Sequence, residues 1–249
     1  MYKLINILKN TGLLLVICIS IHSCDKDSNC LKGNGNVVSE TRTLGASFEN
    51  IYLNHNINLI LKQDSTVSIT VTGGSNLLSG IKTNIEGSTL KIFSDNKCSY
   101  LKSYDNSITI NLSVPNLKNF EYVGFGNVSS ANTLNFPDFT FDSREGTGDV
   151  SLALNSTYTY FKQHTGPADF NLSGYSKHSY VYTNGNGWFY AGSLKTENTH
   201  VSSNGTGDVF VNASNTLKIE LRSMANVHYY GNPTLNITDH SGSGDIIHH

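Results

Sequence analysis

The sequence predicts an all-β fold: a parallel, right-handed β-solenoid with repeats of about 20 residues. Three observations predict it. Charged residues make up only 14% of the 249-residue chain, against about 25% in an average globular protein, and Asn, Ser, Thr and Gly take their place. A five-residue glycine-rich motif recurs at near-constant spacing through the second half. Between recurrences lie short runs of alternating polar and apolar residues, the period of a strand.

The chain opens on an export signal. Lys3 and Lys9 precede an apolar stretch from Leu13 to Ile21, interrupted only by Ser20. This stretch is shorter than the roughly 20 residues needed to span a bilayer and has the layout of a secretory leader. Ile21-His22-Ser23-Cys24 resembles a bacterial lipobox, in which a small residue precedes the cysteine that is lipidated; His22 departs from that pattern. Residues 1–23 are read as a lipoprotein signal peptide and Cys24 as the lipidation site. Acyl chains there would hold the protein to a membrane, each buried methylene contributing about 0.8 kcal/mol. Residues 24–34, polar after the cysteine, read as a flexible tether, and residues 35–249 as one body. Cys18 leaves with the leader. Cys30 and Cys98 remain, and outside the cytoplasm they either pair or stay as two thiols; no spacing suggests zinc.

The first part of the body is rich in strands. Ile51–Leu53, Ile57–Ile60, Val67–Val71, Thr89–Phe93 and Ile108–Leu112 alternate, punctuated by Gly73, Gly74, Gly87 and Pro115. The second part repeats. The motif reads GFGNV at 124–128, GTGDV at 146–150, GPADF at 166–170 and GNGWF at 185–189. It continues as GTGDV at 205–209, a degenerate SMANV at 223–227 and GSGDI at 242–246. The fourth positions, from Asn127 to Asp245, are separated by 22, 20, 19, 20, 18 and 19 residues. Each unit carries a second alternating run, such as Tyr158–Tyr160 or Leu217–Leu221. One unit is therefore two strands with a glycine-rich corner, and stacked units bury a core that none could bury alone. At the corner, the glycines are expected to permit positive φ. Asp or Asn at the fourth position is expected to bond its own local backbone, and the residue after it is expected to point inward.

An ordered set of residues carries a family resemblance. It runs from Arg42, Leu44, Phe48 and Ile51 through Asn76–Leu78, Ile81 and Thr83. It continues with Thr89, Leu90 and Ile92, then Pro115 and Leu117, and ends in the Gly-x-Gly-Asp ladder. Together these resemble the auto-transporter adhesin "head GIN" domain family, known from Bacteroidetes lipoproteins and without an assigned molecular function. The likeness covers nearly all of residues 35–249. It implies a β-helix-like solenoid and a cell-envelope location, consistent with a lipid-anchored protein of the outer membrane, and it brings no catalytic residues to carry over. Trp188 and Met224-Ala225 depart from the corner pattern.

No constellation in the sequence points to catalysis, a metal or a cofactor. Asp149 and Asp169 fall on adjacent rungs, yet repeated corner positions give equivalent environments, whereas acid–base work needs two carboxyls held differently. Calcium would want more oxygen ligands than Asn127 and Trp188 offer beside them. His164, His178, His200, His228 and His240 are scattered, and His248-His249 read as a tail. Asp64-Ser65-Thr66 resembles a short O-glycosylation signal, a match that chance also explains. Aromatic residues crowd the units from Tyr158 to Tyr190. Most are expected in the core; Trp188, with Phe189 and Tyr190, is the candidate for an exposed binding platform, because Trp188 replaces a polar corner residue.

The net charge of −2 becomes −4 once Lys3 and Lys9 leave with the leader. No basic stripe is present, which argues against nucleic acid. The sequence thus predicts a non-catalytic surface module that binds a glycan or a protein, or serves structurally. The alternative is a polysaccharide lyase or glycoside hydrolase on a β-helix.

Overall fold

The computed structural model describes residues 33–96 and 107–249. Cys24, Cys30 and Cys98 lie outside the described residues, and with them the leader, the lipid site and the cysteine pair. Strands dominate. β1 (Val37–Arg42), β2 (Asn50–Leu53), β3 (Ile57–Gln63), β4 (Ser68–Gly74), β5 (Ile81–Glu86), β6 (Thr89–Ser94) and β7 (Ile108–Val114) form the first part. β8 (Asn119–Tyr122), β9 (Val128–Ser130) and β10 (Asp138–Ser143) lead into four long strands. These are β11 (Val150–Gln163), β12 (Phe170–Thr183), β13 (Phe189–Ser203) and β14 (Val209–Leu221); β15 (Val227–Tyr230), β16 (Thr234–His240) and β17 (Ile246–His248) follow. The result is a β-solenoid of about six turns with a spacing near 20 residues, as the sequence predicts.

Each long strand belongs to two faces. The first half of β11 pairs in parallel with β9 and the second half with β10. The front face is β7, β3, β9, the first halves of β11–β14, β15 and β17; the back face is β6, β2, β8, β10, the second halves of β11–β14, and β16. Alternate residues of both faces point inward and meet in one core. Phe141 from the back face lies edge-on to Phe170 from the front, ring centres 5.5 Å apart, and Phe170 stacks on Phe189 of the next rung at 4.3 Å. Val150, Phe170, Phe189, Val209 and Val227 are all fully buried. The residue after the corner's fourth position does point inward.

The first part departs from simple stacking. β2 lies between β6 and β8, and β3 between β7 and β9, so the rung formed earlier in sequence sits inside the one formed later. β4 runs antiparallel to β7, β1 to β4 and β5 to β6. β5 and β6 form a hairpin in which Gly87 takes φ 61°, a value that favours glycine. Antiparallel strands need only short connections, whereas a parallel pair needs a long crossover; this end of the coil closes with hairpin-like strands that also carry charges.

The corner chemistry differs from the expectation in two ways. Gly166, at φ 91°, is the only corner glycine with positive φ. The other corner glycines are required by stacking: a Cβ on Gly148 would lie 2.5 Å from the carbonyl oxygen of Gly126, and one on Gly207 would lie 2.1 Å from that of Gly187. Four of the fourth-position side chains bond the next rung rather than their own turn. Asn127 Oδ1 accepts from the backbone N–H of Asp149 at 3.0 Å, Asp169 Oδ1 from Trp188 at 2.7 Å, Asp208 Oδ1 from Asn226 at 2.7 Å, and Asn226 Oδ1 from Asp245 at 2.9 Å. Asn58 Oδ1 begins the ladder with the N–H of Asn127 at 2.8 Å. Rung stacking leaves each such N–H without a partner in its own turn, and the oxygen one rung back is nearest.

Candidate functional site

The outward side of the front face carries one continuous row across the rungs: Ser151, Asn171, Tyr190, Phe210, His228 and Ile247. Strand alternation sets it, since each member from Ser151 to His228 follows a buried residue and Ile247 follows the half-buried Ile246. The row changes character at β13. Before it lie small polar residues; Tyr190, Phe210 and His228 are rings, and Ile247 ends the row.

The rings stack. Tyr190 and Phe210 are 5.5 Å apart at 20°, and Phe210 lies 4.2 Å from the His228 imidazole at 4°. Trp188 joins from the corner, 5.8 Å from Tyr190 and 6.2 Å from Phe210. Trp188 is 38% exposed and Tyr190 40%. His228 is held from both sides: its Nε2 lies 3.5 Å from Asp208, and its Nδ1 shares a hydrogen bond of 2.9 Å with His249 Nε2. Beside Tyr190, where the row is still polar, a groove of about 420 Å³ opens over Ser130, Ser151, Asn171, Ser173 and Ser193. No charged side chain lines it.

Of the three platform residues named from sequence, the structure places two on this surface. Phe189 is fully buried, stacked on Phe170 in the core, because strand alternation turns it away from Trp188 and Tyr190. Phe210 and His228 take its place, and sequence reading missed them. The signal was available: the sixth position of each repeat reads Ser129, Ser151, Asn171, Tyr190, Phe210, His228 and Ile247 in turn.

The back face has its own exposed rings. Tyr158 stacks on His178 at 4.8 Å, and Tyr180 lies between Tyr160 and His200. An ionic cluster borders them. Glu220 accepts from Lys218 at 2.6 Å and from Arg222 at 3.0 Å, and His200 Nε2 lies 3.2 Å from it. The Lys218 hydrogen bond, then that of Arg222, hold the Glu220 carboxyl down at about 2 against the opposing effect of burial. Burial first, and the Lys218 charge second, lower the His200 imidazole.

Three of the residues weighed for chemistry are engaged otherwise. Asp169 spends one carboxylate oxygen on the Trp188 N–H. His164 lies 3.1 Å from Asp142, and His240 Nε2 bonds the Gly244 carbonyl at 2.8 Å. Among the described residues no cluster of three or more His, Cys, Asp or Glu side chains could hold a metal ion. None of their helices is long and apolar enough to cross a membrane. Asp64-Ser65-Thr66 lies in the exposed loop between β3 and β4.

With this geometry in hand, comparison with known proteins decides the family. The family model described as "Putative auto-transporter adhesin, head GIN domain" matches residues 47–233. The chain belongs to this head GIN family. Three solved structures share the head GIN chain's fold. A protein from Bacteroides fragilis described as a "putative adhesin" superposes with a TM-score of 0.78 at 20% identity, covering 86% of this chain and 97% of its own. A "putative lipid binding protein" from Parabacteroides distasonis gives 0.68 at 17%, covering 87% and 98%. A "putative adhesin" from the same species gives 0.61 at 16%, with the same coverages. No curated protein matches the chain in sequence. Membership of an adhesin-like family agrees with a surface or envelope location, and neither the family nor these relatives support the polysaccharide-degrading alternative.

Proposed function

We propose that this head GIN protein is a lipid-anchored envelope module that binds glycan chains through the outward front face. One observation carries the reading: a strip of stacked rings, the exposed Trp188 and Tyr190 with the half-buried Phe210 and His228, runs directly into an uncharged groove whose polar lining is hydroxyl and amide side chains. A sugar ring offers a flat C–H face and an edge of hydroxyls. The C–H face packs on an aromatic ring, which supplies area at little entropic cost, and the hydroxyls exchange hydrogen bonds with Ser and Asn. The polar contacts recur from Ser151 to Asn171 and the ring contacts from Tyr190 to Phe210 and His228, one rung at a time along the coil, which suits a polymer. The leader and the lipobox-like Cys24 support an anchor in the outer membrane.

A glycan array with the purified protein tests the binding. Wild type should retain a class of neutral or weakly charged oligosaccharides. Trp188→Ala and Phe210→Ala should each weaken that binding by about tenfold, the equivalent of roughly 1.4 kcal/mol. Retention of no glycan, or retention that both variants leave intact, overturns the reading and turns attention to a protein ligand.

A further inference from the structure

We infer that the β16–β17 end of the coil is a self-association surface, where two copies of this chain meet head-on across a two-fold axis. β16 pairs with β14 and β17 with β15, and among the described strands neither has a partner on its other side. A row of backbone N–H and C=O groups is therefore open on both faces of the coil, a template for another strand. The core is open there as well. Leu235 and Ile237 continue the inward row of Leu217 and Ile219. Leu217 and Ile219 are fully buried, whereas Leu235 is 38% exposed and Ile237 46%, for want of a further rung.

The two ends of the molecule are not alike. The opposite end is closed by β1 and β5, which run antiparallel to their neighbours and carry Glu40, Arg42, Lys82 and Glu86. Charges on an edge strand oppose further pairing. Residues 234–238 of β16 read TLNIT and carry none.

That same segment identifies the occupant as a second copy. It is close to a palindrome about Asn236. In antiparallel pairing across a two-fold axis through Asn236, Leu235 faces Ile237 of the other copy on the core side. Thr234 faces Thr238, and Asn236 faces itself. Opposed residues in such pairs share a face, so the register closes both exposed apolar side chains against each other and sets no like charges in opposition. The bulge at Thr238, where the β14 register jumps from Ile237 to Asp239, confines the pairing to this stretch. Antiparallel order also needs no crossover, so two separate chains can adopt it. The symmetry is closed, so the product is a dimer and not a filament. It places the β1 ends of the two copies at opposite poles, a geometry suited to contact between two surfaces. The inference does not depend on the glycan reading, which uses the front face.

Cross-linking tests it with the full chain. In Asn236→Cys the new thiol meets its own copy at the axis, so mild oxidation should yield a covalent dimer on a non-reducing gel. Wild type, with only its native cysteines, and Ser151→Cys, with a thiol on the outward front face, should yield none above background. Sedimentation should give a dimer mass for wild type and a monomer mass for Ile237→Lys, with unchanged circular dichroism confirming that the variant is folded. Cross-linking of Asn236→Cys no better than Ser151→Cys, or a monomer mass for wild type at every concentration, would overturn the inference. A wild-type dimer that Ile237→Lys leaves intact would overturn it too.

Discussion

The Asp169 carboxylate accepts a hydrogen bond of 2.7 Å from the backbone N–H of Trp188, its counterpart one rung further along the coil. The side chain that a single turn would use for itself instead ties two turns together. Asp169→Ala should cost about 0.5–1.5 kcal/mol, the net worth of one such bond. Asp169→Asn, which keeps the accepting oxygen, should melt close to wild type. Because the ladder satisfies its own donors, melts in EDTA and in millimolar calcium should coincide. A calcium-dependent rise abolished by Asp169→Ala would turn the ladder into a metal site.

Gly148 stacks on Gly126, and its N–H donates to the Tyr122 hydroxyl at 3.0 Å while that hydroxyl donates to the Gly126 carbonyl at 2.6 Å. Burial pushes the Tyr122 phenol up to about 12, so it stays a donor at any working pH. Gly148→Val inserts a Cβ 2.5 Å from the Gly126 oxygen and 2.7 Å from the Tyr122 oxygen. The expected loss is roughly 1–3 kcal/mol or more, read as a fall of several degrees in Tm. An unchanged Tm would show that the corner yields without strain.

Phe189 and Trp188 are adjacent in sequence and opposite in role. Phe189→Ala should destabilise the fold by about 3–5 kcal/mol. Trp188→Ala should stay within about 0.5 kcal/mol of wild type, as exposed positions do, while losing ligand. Chemical denaturation separates the two; equal losses would place both rings in the core.

Glu220 is charged more readily in the fold than its usual value near 4.5 allows, and its carboxyl is held at about 2. A depressed carboxyl contributes stability that is complete above its unfolded value and is lost as pH falls toward the folded one. Glu220→Gln should therefore melt below wild type at neutral pH, with the gap closing between pH 4.5 and 2. A gap that stays constant through this range would mean that the cluster with Lys218 and Arg222 contributes nothing through charge.

Cys24→Ala should release the protein from membranes in a fractionation blot, since the acyl chains would have no attachment point. A variant that remains bound and is processed as before removes the lipid anchor from the account.

Much of the architecture follows from local rules that the sequence displays. Alternation sets which side chains of β11 to β14 point inward, and the recurrence from Asn127 to Asp245 sets the number of residues in a turn. The sequence by itself therefore determined an all-β coil, its period, and a core that includes Val150, Phe170 and Val209. What only the tertiary structure decided depends on which rung lies against which. The partner of the Asp169 oxygen is a backbone group 19 residues away, and the need for glycine at position 148 arises from a neighbouring turn, not from its own φ. The insertion of β2 between β6 and β8 has no local signature, because strand pairing is a contest among distant segments. The platform was half legible: Trp188 and Tyr190 stand out in one repeat, but Phe210 and His228 join them only because stacking at strand spacing brings the same outward position of successive turns into ring contact.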